Sequence, residues 1–262
     1  MSDIDAGGLR SVRATRYVHP LREGGSLPAL IEVDGGDLFV AKWRGAGQGA
    51  TALVAEVIVG VLARALALPV PQLAILELGD ELGRTERDPE IAELLRASVG
   101  SNFGLGWIAG AIGYDAAARI PVADDLAARI VVFDAYVMNV DRTARNPNLL
   151  WAGEQLWLID HGAALYWHHG WDGALDRPAR RFERVKDHVL LPQAGDLAAA
   201  GAWLVAAIDD AVLEAAVQAV PAAWLESDDV DARRAAYRAM LRARRDQAGA
   251  FLEEAVRARA GV

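Results

Sequence analysis

The amino-acid sequence predicts an α+β protein, with a small antiparallel sheet in its first third and a mainly helical second half. Strand-like segments separated by glycine-rich turns are confined to the first third of the 262 residues. Alanine makes up about a fifth of the chain, which favours helix. With 53% apolar and 24% charged residues, the chain is long enough for one large domain or for two lobes that share a cleft.

The predicted sheet consists of short strands joined by turns rich in glycine and aspartate, and we expect antiparallel pairing. Its strands are predicted at Tyr17 to Pro20, Ala29 to Val33, Leu38 to Trp43, Gln72 to Leu78 and, with a connector, Asn102 to Gly113. The turn between the first two contains Gly24-Gly25-Ser26, and Asp34-Gly35-Gly36-Asp37 leads into the third.

The remaining segments read as helices, apart from two short strands, Asn148 to Trp151 and Gln155 to Ile159, that surround a turn at Gly153. Helices are predicted at Ala50 to Leu68, at Glu81 to Ala97, from a cap at Asp124 or Asp125 to about Met138, and as one C-terminal helix that carries Tyr237 to Leu252. We therefore divide the chain into an N-terminal lobe, residues 1–113, and a helical C-terminal lobe, residues 114–262.

Composition and charge exclude several classes of protein. Lys+Arg 27 against Asp+Glu 36 gives a formal charge of −9, which argues against a nucleic-acid-binding protein. The absence of cysteine excludes disulfides, thiol nucleophiles and zinc-thiolate sites, so any metal must be held by oxygen or imidazole. Thr51 to Val70 is the most apolar stretch, but Glu56 and Arg64 interrupt it, so no membrane span is expected. Without a recognisable secretion signal, we expect a cytoplasmic protein.

The polar run Asn139 to Asn148 lies between an apolar helix and a short strand. Asp141 precedes Asn146 by five residues, the spacing of protein-kinase catalytic loops, in which the aspartate accepts a proton from the acceptor hydroxyl and the asparagine binds Mg²⁺. Fourteen residues later an apolar strand ends in Asp160-His161-Gly162, where a second magnesium ligand belongs. One carboxylate and one amide oxygen suit Mg²⁺ together with substrate phosphates.

Lys42 is one of only two lysines among 27 basic residues, and it lies on an apolar strand. A cation there must face water or have an anionic partner. Glu56, the one acid of the following helix, is a candidate partner that would direct the lysine at ATP phosphates. The turn Gly24-Gly25-Ser26 offers backbone N–H groups and a hydroxyl to a phosphate.

Together, Asn139 to Asn148, Leu156 to Gly162 and Lys42 to Pro71 resemble the HipA-like kinase family and, more distantly, type II phosphatidylinositol 4-kinases. The resemblance covers roughly residues 17–188. It implies a two-lobed protein-kinase-like fold that uses ATP and Mg²⁺, with a protein or a small molecule as the hydroxyl acceptor. It also implies Asp141 as the catalytic aspartate, Asn146 and Asp160 as metal ligands, and Lys42 as the residue that holds phosphate.

The residues leave other interpretations open. Asp141 to Asn148 also suits an ordinary turn, Lys42 also suits an edge strand with its amine in water, and Glu56 also suits a solvent-facing stripe of its helix. At the level of function, the alternatives to an active kinase are a nucleotide-binding pseudokinase that acts as a regulatory partner and a helical interaction protein.

Overall fold

The computed structural model describes residues 9–21, 27–47, 49–118, 120–171 and 181–262. Within these ranges the predicted α+β class is confirmed. The strands are β1 (Arg10–Pro20), β2 (Ala29–Val33), β3 (Leu38–Lys42), β4 (Leu73–Leu78), β5 (Gly100–Gly106), β6 (Ile112–Gly113), β7 (Leu149–Ala152) and β8 (Gln155–Leu158). The helices are α1 (Gly49–Ala65), α2 (Asp80–Thr85), α3 (Pro89–Ala97), α4 (Asp124–Val137), α5 (Leu197–Ala207), α6 (Asp210–Gln218), α7 (Val230–Asp246) and α8 (Gly249–Arg259). None of the helices described combines the length and the apolarity that crossing a membrane requires.

The first five strands form a closed barrel in the order β1-β2-β3-β5-β4, which corrects the expected small antiparallel sheet. The long strand β1 closes the barrel, because residues 10–13 pair in parallel with β4 while residues 14–20 pair antiparallel with β2. The sequence prediction began this strand only at Tyr17. In the fold, Val12 and Ala14 are buried in the barrel core and Arg13 is exposed. Residues 12–14 therefore alternate between the core and solvent, as residues of a strand do.

The hairpin of β2 and β3 brings Lys42 to the site. Gly35 and Gly36 make its turn with φ of +92° and +86°, a region that favours glycine. Along β3, Phe39 and Ala41 are buried in the barrel core, so Val40 and Lys42 point to the opposite face. Lys42 is the last residue of the strand and pairs with Phe103 of β5.

Helix α1 joins the barrel to the helical part of the protein. Almost all of its residues are buried, and Val57, Ile58 and Val59 belong to the same hydrophobic core as residues of α4 and α6. Because it is packed on several sides, α1 holds its one acid, Glu56, in a defined position. The helix ends at Ala65, before the predicted end at Leu68.

The predicted helix from Glu81 to Ala97 is two helices, α2 and α3. Proline is tolerated in the first turn of a helix but not in its interior, and here Pro89 begins α3. The Asp88 side chain caps this new start by accepting hydrogen bonds from the backbone N–H groups of Glu90, at 3.0 Å, and Ile91, at 3.4 Å.

Two other helix predictions also need correction. The cap of α4 is Ala123, so Asp124 and Asp125 lie in the first turn, near the positive end of the helix dipole, and do not cap it. The C-terminal helix is interrupted after Asp246, and the chain continues as α7 and α8 in place of one helix.

The second sheet, in the order β6-β7-β8, positions two loops beside each other. Strands β7 and β8 form a hairpin through Gly153 and Glu154, which have φ of +57° and +61°, as a two-residue turn of type I′ requires. Beyond the last strand pair, the N–H of Ile159 donates to the carbonyl of Asn148 at 3.1 Å. Residues 139–148 and residues 159–162 therefore meet at the same end of the hairpin.

Candidate functional site

Three charged side chains from distant parts of the sequence meet at the end of β3. The Lys42 amine contacts one carboxylate oxygen of Glu56 and lies 2.7 Å from Oδ1 of Asp160. The Glu56 side chain is 1% exposed, that of Lys42 14% and that of Asp160 46%. The structure thus supports the ion-pair interpretation of Glu56 over a solvent-facing stripe.

The electrostatics of this cluster favour the charged forms of Lys42 and Asp160, whereas burial raises the pKa of Glu56 above its ordinary value and Lys42 opposes that rise. Burial alone would lower the pKa of the Lys42 amine, but the charges of Glu56 and Asp160 outweigh that effect and raise it above its ordinary value. Burial would raise the pKa of the Asp160 carboxyl, and Lys42 reverses this and lowers it. Asp160 is therefore an anion, and Lys42 a cation, at neutral pH.

Glu56 also holds the backbone that follows Asp160. The N–H of His161 donates to Oε2 of Glu56 at 3.0 Å. A Cβ added to Gly162 would lie 3.3 Å from Oε1 of Glu56 and 3.7 Å from Oδ1 of Asp160. Glycine at position 162 therefore lets the chain pass close to the carboxylate that binds Lys42.

The loop after α4 orients Asp141 through amide side chains. Oδ2 of Asp141 accepts hydrogen bonds from Nδ2 of Asn146, at 2.7 Å, and from Nδ2 of Asn148, at 3.3 Å. The backbone N–H of Asp141 donates to Oδ1 of Asn139 at 3.2 Å. Within the described ranges, no hydrogen bond to Oδ1 of Asp141 is present.

The same loop is also a compact turn. The N–H of Asn146 donates to the carbonyl of Thr143 at 3.2 Å and to its hydroxyl at 3.3 Å, and the N–H of Thr143 donates to the carbonyl of Asn146 at 3.1 Å. The interpretation of this segment as a turn and its interpretation as a catalytic loop are therefore compatible.

A buried polar cluster lies beneath this loop, formed by Asp134 of α4, Arg142, His161 and His188. The side chains of Asp134 and Arg142 are 0% exposed, and Nε of Arg142 lies 2.5 Å from Oδ2 of Asp134. Nε2 of His188 donates to the same oxygen at 2.9 Å, because Nδ1 of His188 accepts from the N–H of Leu190. The sequence analysis missed this cluster and also Asn148. The one available signal was Asp134 itself, an acid inside the apolar run Ile130 to Val137.

A pocket of about 480 Å³ opens beside the charged cluster. Its apolar walls come from both sheets and from the segment that follows β8: Val40 on β3, Leu105 on β5, Leu150 on β7 and Ile159. Lys42 and Asp160 also line it, and Trp107 and Ile108 border it where the chain leaves β5. Among the described residues, the pocket lining therefore combines apolar side chains with the Lys42 amine and the Asp160 carboxylate.

The remaining predicted residues can be placed only in part. Gly24-Gly25-Ser26 lies outside the described residues. Asn146 and Asp160 lie on the two loops that meet at the end of the β7-β8 hairpin. In the part of the chain that the structure describes, no three His, Asp or Glu side chains are grouped to hold a metal ion by themselves. A metal at this site would thus need ligands from an amide or from a substrate.

Comparison with known proteins gives a family and a fold. The sequence matches the family model described as HipA-like kinase over residues 15–248. No curated protein matches the sequence. The fold is similar to the crystal structure of a Helicobacter pylori proinflammatory kinase, CtkA, with a TM-score of 0.58 and 12% sequence identity; the match covers 95% of this chain and 97% of that chain. At this identity the similarity concerns the fold alone.

Proposed function

This chain belongs to the HipA-like kinase family, and from that premise we propose that it transfers the γ-phosphoryl group of ATP to a hydroxyl acceptor. The family resemblance seen in residues 17–188 is thereby confirmed and extends to residues 15–248. The observation that carries the proposal is the contact of Lys42 with Glu56 and Asp160 beside one pocket, although 118 residues separate Lys42 from Asp160. The acceptor is a protein or a small molecule with a free hydroxyl.

We propose that ATP binds in the pocket of about 480 Å³. Its apolar walls would pack against the base, as in most nucleotide sites, and Lys42 would contact the phosphates. The contacts of the Lys42 amine with both Glu56 and Asp160 support this role, because two carboxyl groups fix the direction of the lysine side chain. We further propose that Gly24-Gly25-Ser26 covers the phosphates with its backbone N–H groups.

Asn146 and Asp160 are the residues proposed to hold Mg²⁺. Both offer hard oxygen ligands, which this ion prefers, and a pair of protein ligands is sufficient when phosphates supply others. Since Nδ2 of Asn146 is engaged by Asp141, its Oδ1 remains available to accept a cation. When bound, the ion offsets the negative charge of the phosphates.

Asp141 is proposed as the group that accepts the proton of the acceptor hydroxyl. Two amides bind its Oδ2 and so orient the carboxylate, which leaves Oδ1 for the hydroxyl. As the hydroxyl oxygen bonds to the γ-phosphorus and the bond to the leaving ADP oxygen breaks, the proton passes to Oδ1. The neutral form of Asp141 cannot accept this proton.

The pocket also supports the proposed division into two lobes, residues 1–113 and residues 114–262. Its lining comes from residues 20–108 on one side and 150–160 on the other. A nucleotide bound there would contact both lobes.

The experiment that tests this function combines binding with transfer. ATP plus Mg²⁺ at ~100 times the dissociation constant should stabilise the folded protein by about 2.7 kcal/mol, seen as a raised Tm. The protein is then incubated with γ-labelled ATP, alone and with cell extract, and the labelled species are identified. Lys42→Ala should lose the transfer, while Lys186→Ala, which changes the one other lysine at an exposed position, should retain it.

The outcomes separate the three functional hypotheses. A raised Tm with labelled product supports the kinase. A raised Tm without any transfer favours a nucleotide-binding pseudokinase. No change in Tm contradicts both and leaves a helical interaction protein.

A further inference from the structure

We propose that Arg142 and Asp134 form a positioning pair that fixes the loop carrying Asp141 and Asn146 against the loop carrying Asp160. The inference rests on the proposed phosphotransfer function and assigns a role to two residues that take no direct part in it. Neither side chain is exposed, so neither can touch a substrate from solvent.

The Arg142 side chain binds both loops at once. Its Nη1 donates to the carbonyl of Asn148 and, at 3.2 Å, to the carbonyl of Ile159. Its Nη2 lies 3.2 Å from Nδ1 of His161. Ile159 and His161 are the two neighbours of Asp160, and Arg142 itself follows Asp141. Arg142 and the residues that its guanidinium binds therefore lie within two positions, along the sequence, of Asp141, Asn146 and Asp160.

Asp134 completes the arrangement from helix α4. Its Oδ2 accepts from Nε of Arg142, and its Oδ1 accepts from Nδ2 of Asn139 at 3.2 Å. Asn139 in turn accepts from the backbone N–H of Asp141. Asp134 thus neutralises the buried guanidinium and holds the first residue of the catalytic loop.

Charge makes the two residues depend on each other. A buried guanidinium without an anion is strongly unfavourable, and so is a buried carboxylate without a cation. Burial alone would raise the pKa of Asp134, but Arg142 and His188 outweigh it and hold the pKa far below its ordinary value. Asp134 is therefore an anion at physiological pH and supplies the negative charge that the buried guanidinium requires.

The geometry requires arginine rather than lysine. Arg142 binds a carboxylate oxygen, two backbone carbonyls and an imidazole nitrogen through three separate nitrogens. A lysine has the same charge but a single nitrogen, which cannot span acceptors on both loops. Arg142→Lys therefore keeps the charge and removes the connection between the loops.

Arg244 provides a matched control. It is also fully buried, and it donates to the carbonyls of Ala135, at 2.8 Å, and Tyr136, at 2.7 Å, which belong to helix α4 and not to the two loops. Arg244→Lys should therefore lower Tm through helix α4, and it tests whether the loss of any buried arginine reduces transfer.

The test compares Arg142→Lys, Arg244→Lys and the parent protein, with Asp134→Asn as a second variant of the pair. Transfer is measured as kcat, as KM for ATP and as the Mg²⁺ concentration at half-maximal rate; Tm and Mg²⁺-free ADP binding are measured on the same preparations. For Arg142→Lys and Asp134→Asn we expect kcat to fall at least tenfold and the Mg²⁺ midpoint to rise at least threefold. ADP binding without Mg²⁺ should change less than threefold, because the pocket walls are intact.

The positioning role is overturned if Arg142→Lys has a lowered Tm, as Arg244→Lys does, but the same kcat and Mg²⁺ midpoint as the parent protein. It is also overturned if neither variant of the pair folds, because the pair would then serve stability. A parent protein that neither binds nor uses ATP contradicts the proposed function itself. An active parent with equally active pair variants contradicts only the positioning role.

Discussion

Replacing Lys42 by methionine should destabilise the protein as well as abolish its activity. Methionine has a similar length but no charge, so Glu56 would lose its cation while remaining 1% exposed. Breaking a buried ion pair from one side typically costs ~3–5 kcal/mol, because an uncompensated charge stays behind. Asp160 would also lose its contact with the Lys42 amine, but its side chain is 46% exposed. Because water screens its charge, this second contact adds little to the loss of stability. We therefore expect the free energy of unfolding to fall by about 3–5 kcal/mol at pH 7.

This loss should depend on pH in a defined direction. Burial already raises the pKa of Glu56 above its ordinary value of 4.5, and Lys42 opposes that effect. Without Lys42 the folded-state pKa rises further, so the folded variant takes up a proton more readily than the unfolded chain. The destabilisation should be largest at neutral pH and shrink as the pH falls through the raised pKa towards 4.5.

Urea unfolding at several pH values measures this difference. Lys186→Met, at an exposed position, should stay within ~0.5 kcal/mol of the parent. The double variant Lys42→Met/Glu56→Gln should be more stable than Lys42→Met alone, because the buried charge is gone, yet it should remain inactive. If Lys42→Met loses no more stability than Lys186→Met, or if its loss does not change with pH, the reasoning about the buried pair is wrong.

Three further outcomes are expected. Asp141→Asn should lower phosphoryl transfer by ~10²–10⁴-fold while the rise in Tm with ATP and Mg²⁺ persists; a variant with full transfer would remove Asp141 from the mechanism. Asp160→Asn should raise the Mg²⁺ concentration required for nucleotide binding, because a carboxylate becomes a neutral amide, and an unchanged midpoint in a magnesium titration would rule out Asp160 as a ligand. Gly162→Ala places a Cβ 3.3 Å from Oε1 of Glu56; we expect a destabilisation of ~1–3 kcal/mol by urea unfolding and reduced transfer, and parent-like values of both would show that the backbone adjusts freely.

Local chemistry was enough to identify several residues of the candidate site. The five-residue spacing of Asp141 and Asn146, and the acid that ends the apolar strand at Asp160, are properties of short segments that turns and strands preserve. The rarity of lysine drew attention to Lys42. The hairpin around Gly153 was also predictable, because a glycine between two short strand-like segments readily supplies the positive φ that a tight turn requires.

Contacts between distant segments required the tertiary structure. Helical spacing alone left Glu56 undecided between water and an ion pair, and only the packing of α1 against the barrel and the helices buries it beside Lys42. Closure of the barrel depends on the parallel pairing of β1 with β4, whose partners are about 64 residues apart, as Arg10 and Ala74 illustrate. Such pairing leaves no periodic signal in either segment.

The buried cluster of Asp134 and Arg142 shows most clearly that a single segment of sequence does not reveal its partner in another segment. Asp134 lies within an apolar helix, and Arg142 lies among residues that also suit an exposed turn, so neither segment by itself indicates a partner. Burial makes each charge strongly unfavourable without the other, and their pairing offsets this cost only because the two side chains approach to 2.5 Å. The sequence by itself determined which polar groups are available to the site, because residue type and local spacing are written in single segments. The tertiary structure decided which of them are paired, because desolvation and close contact arise only when distant segments pack together.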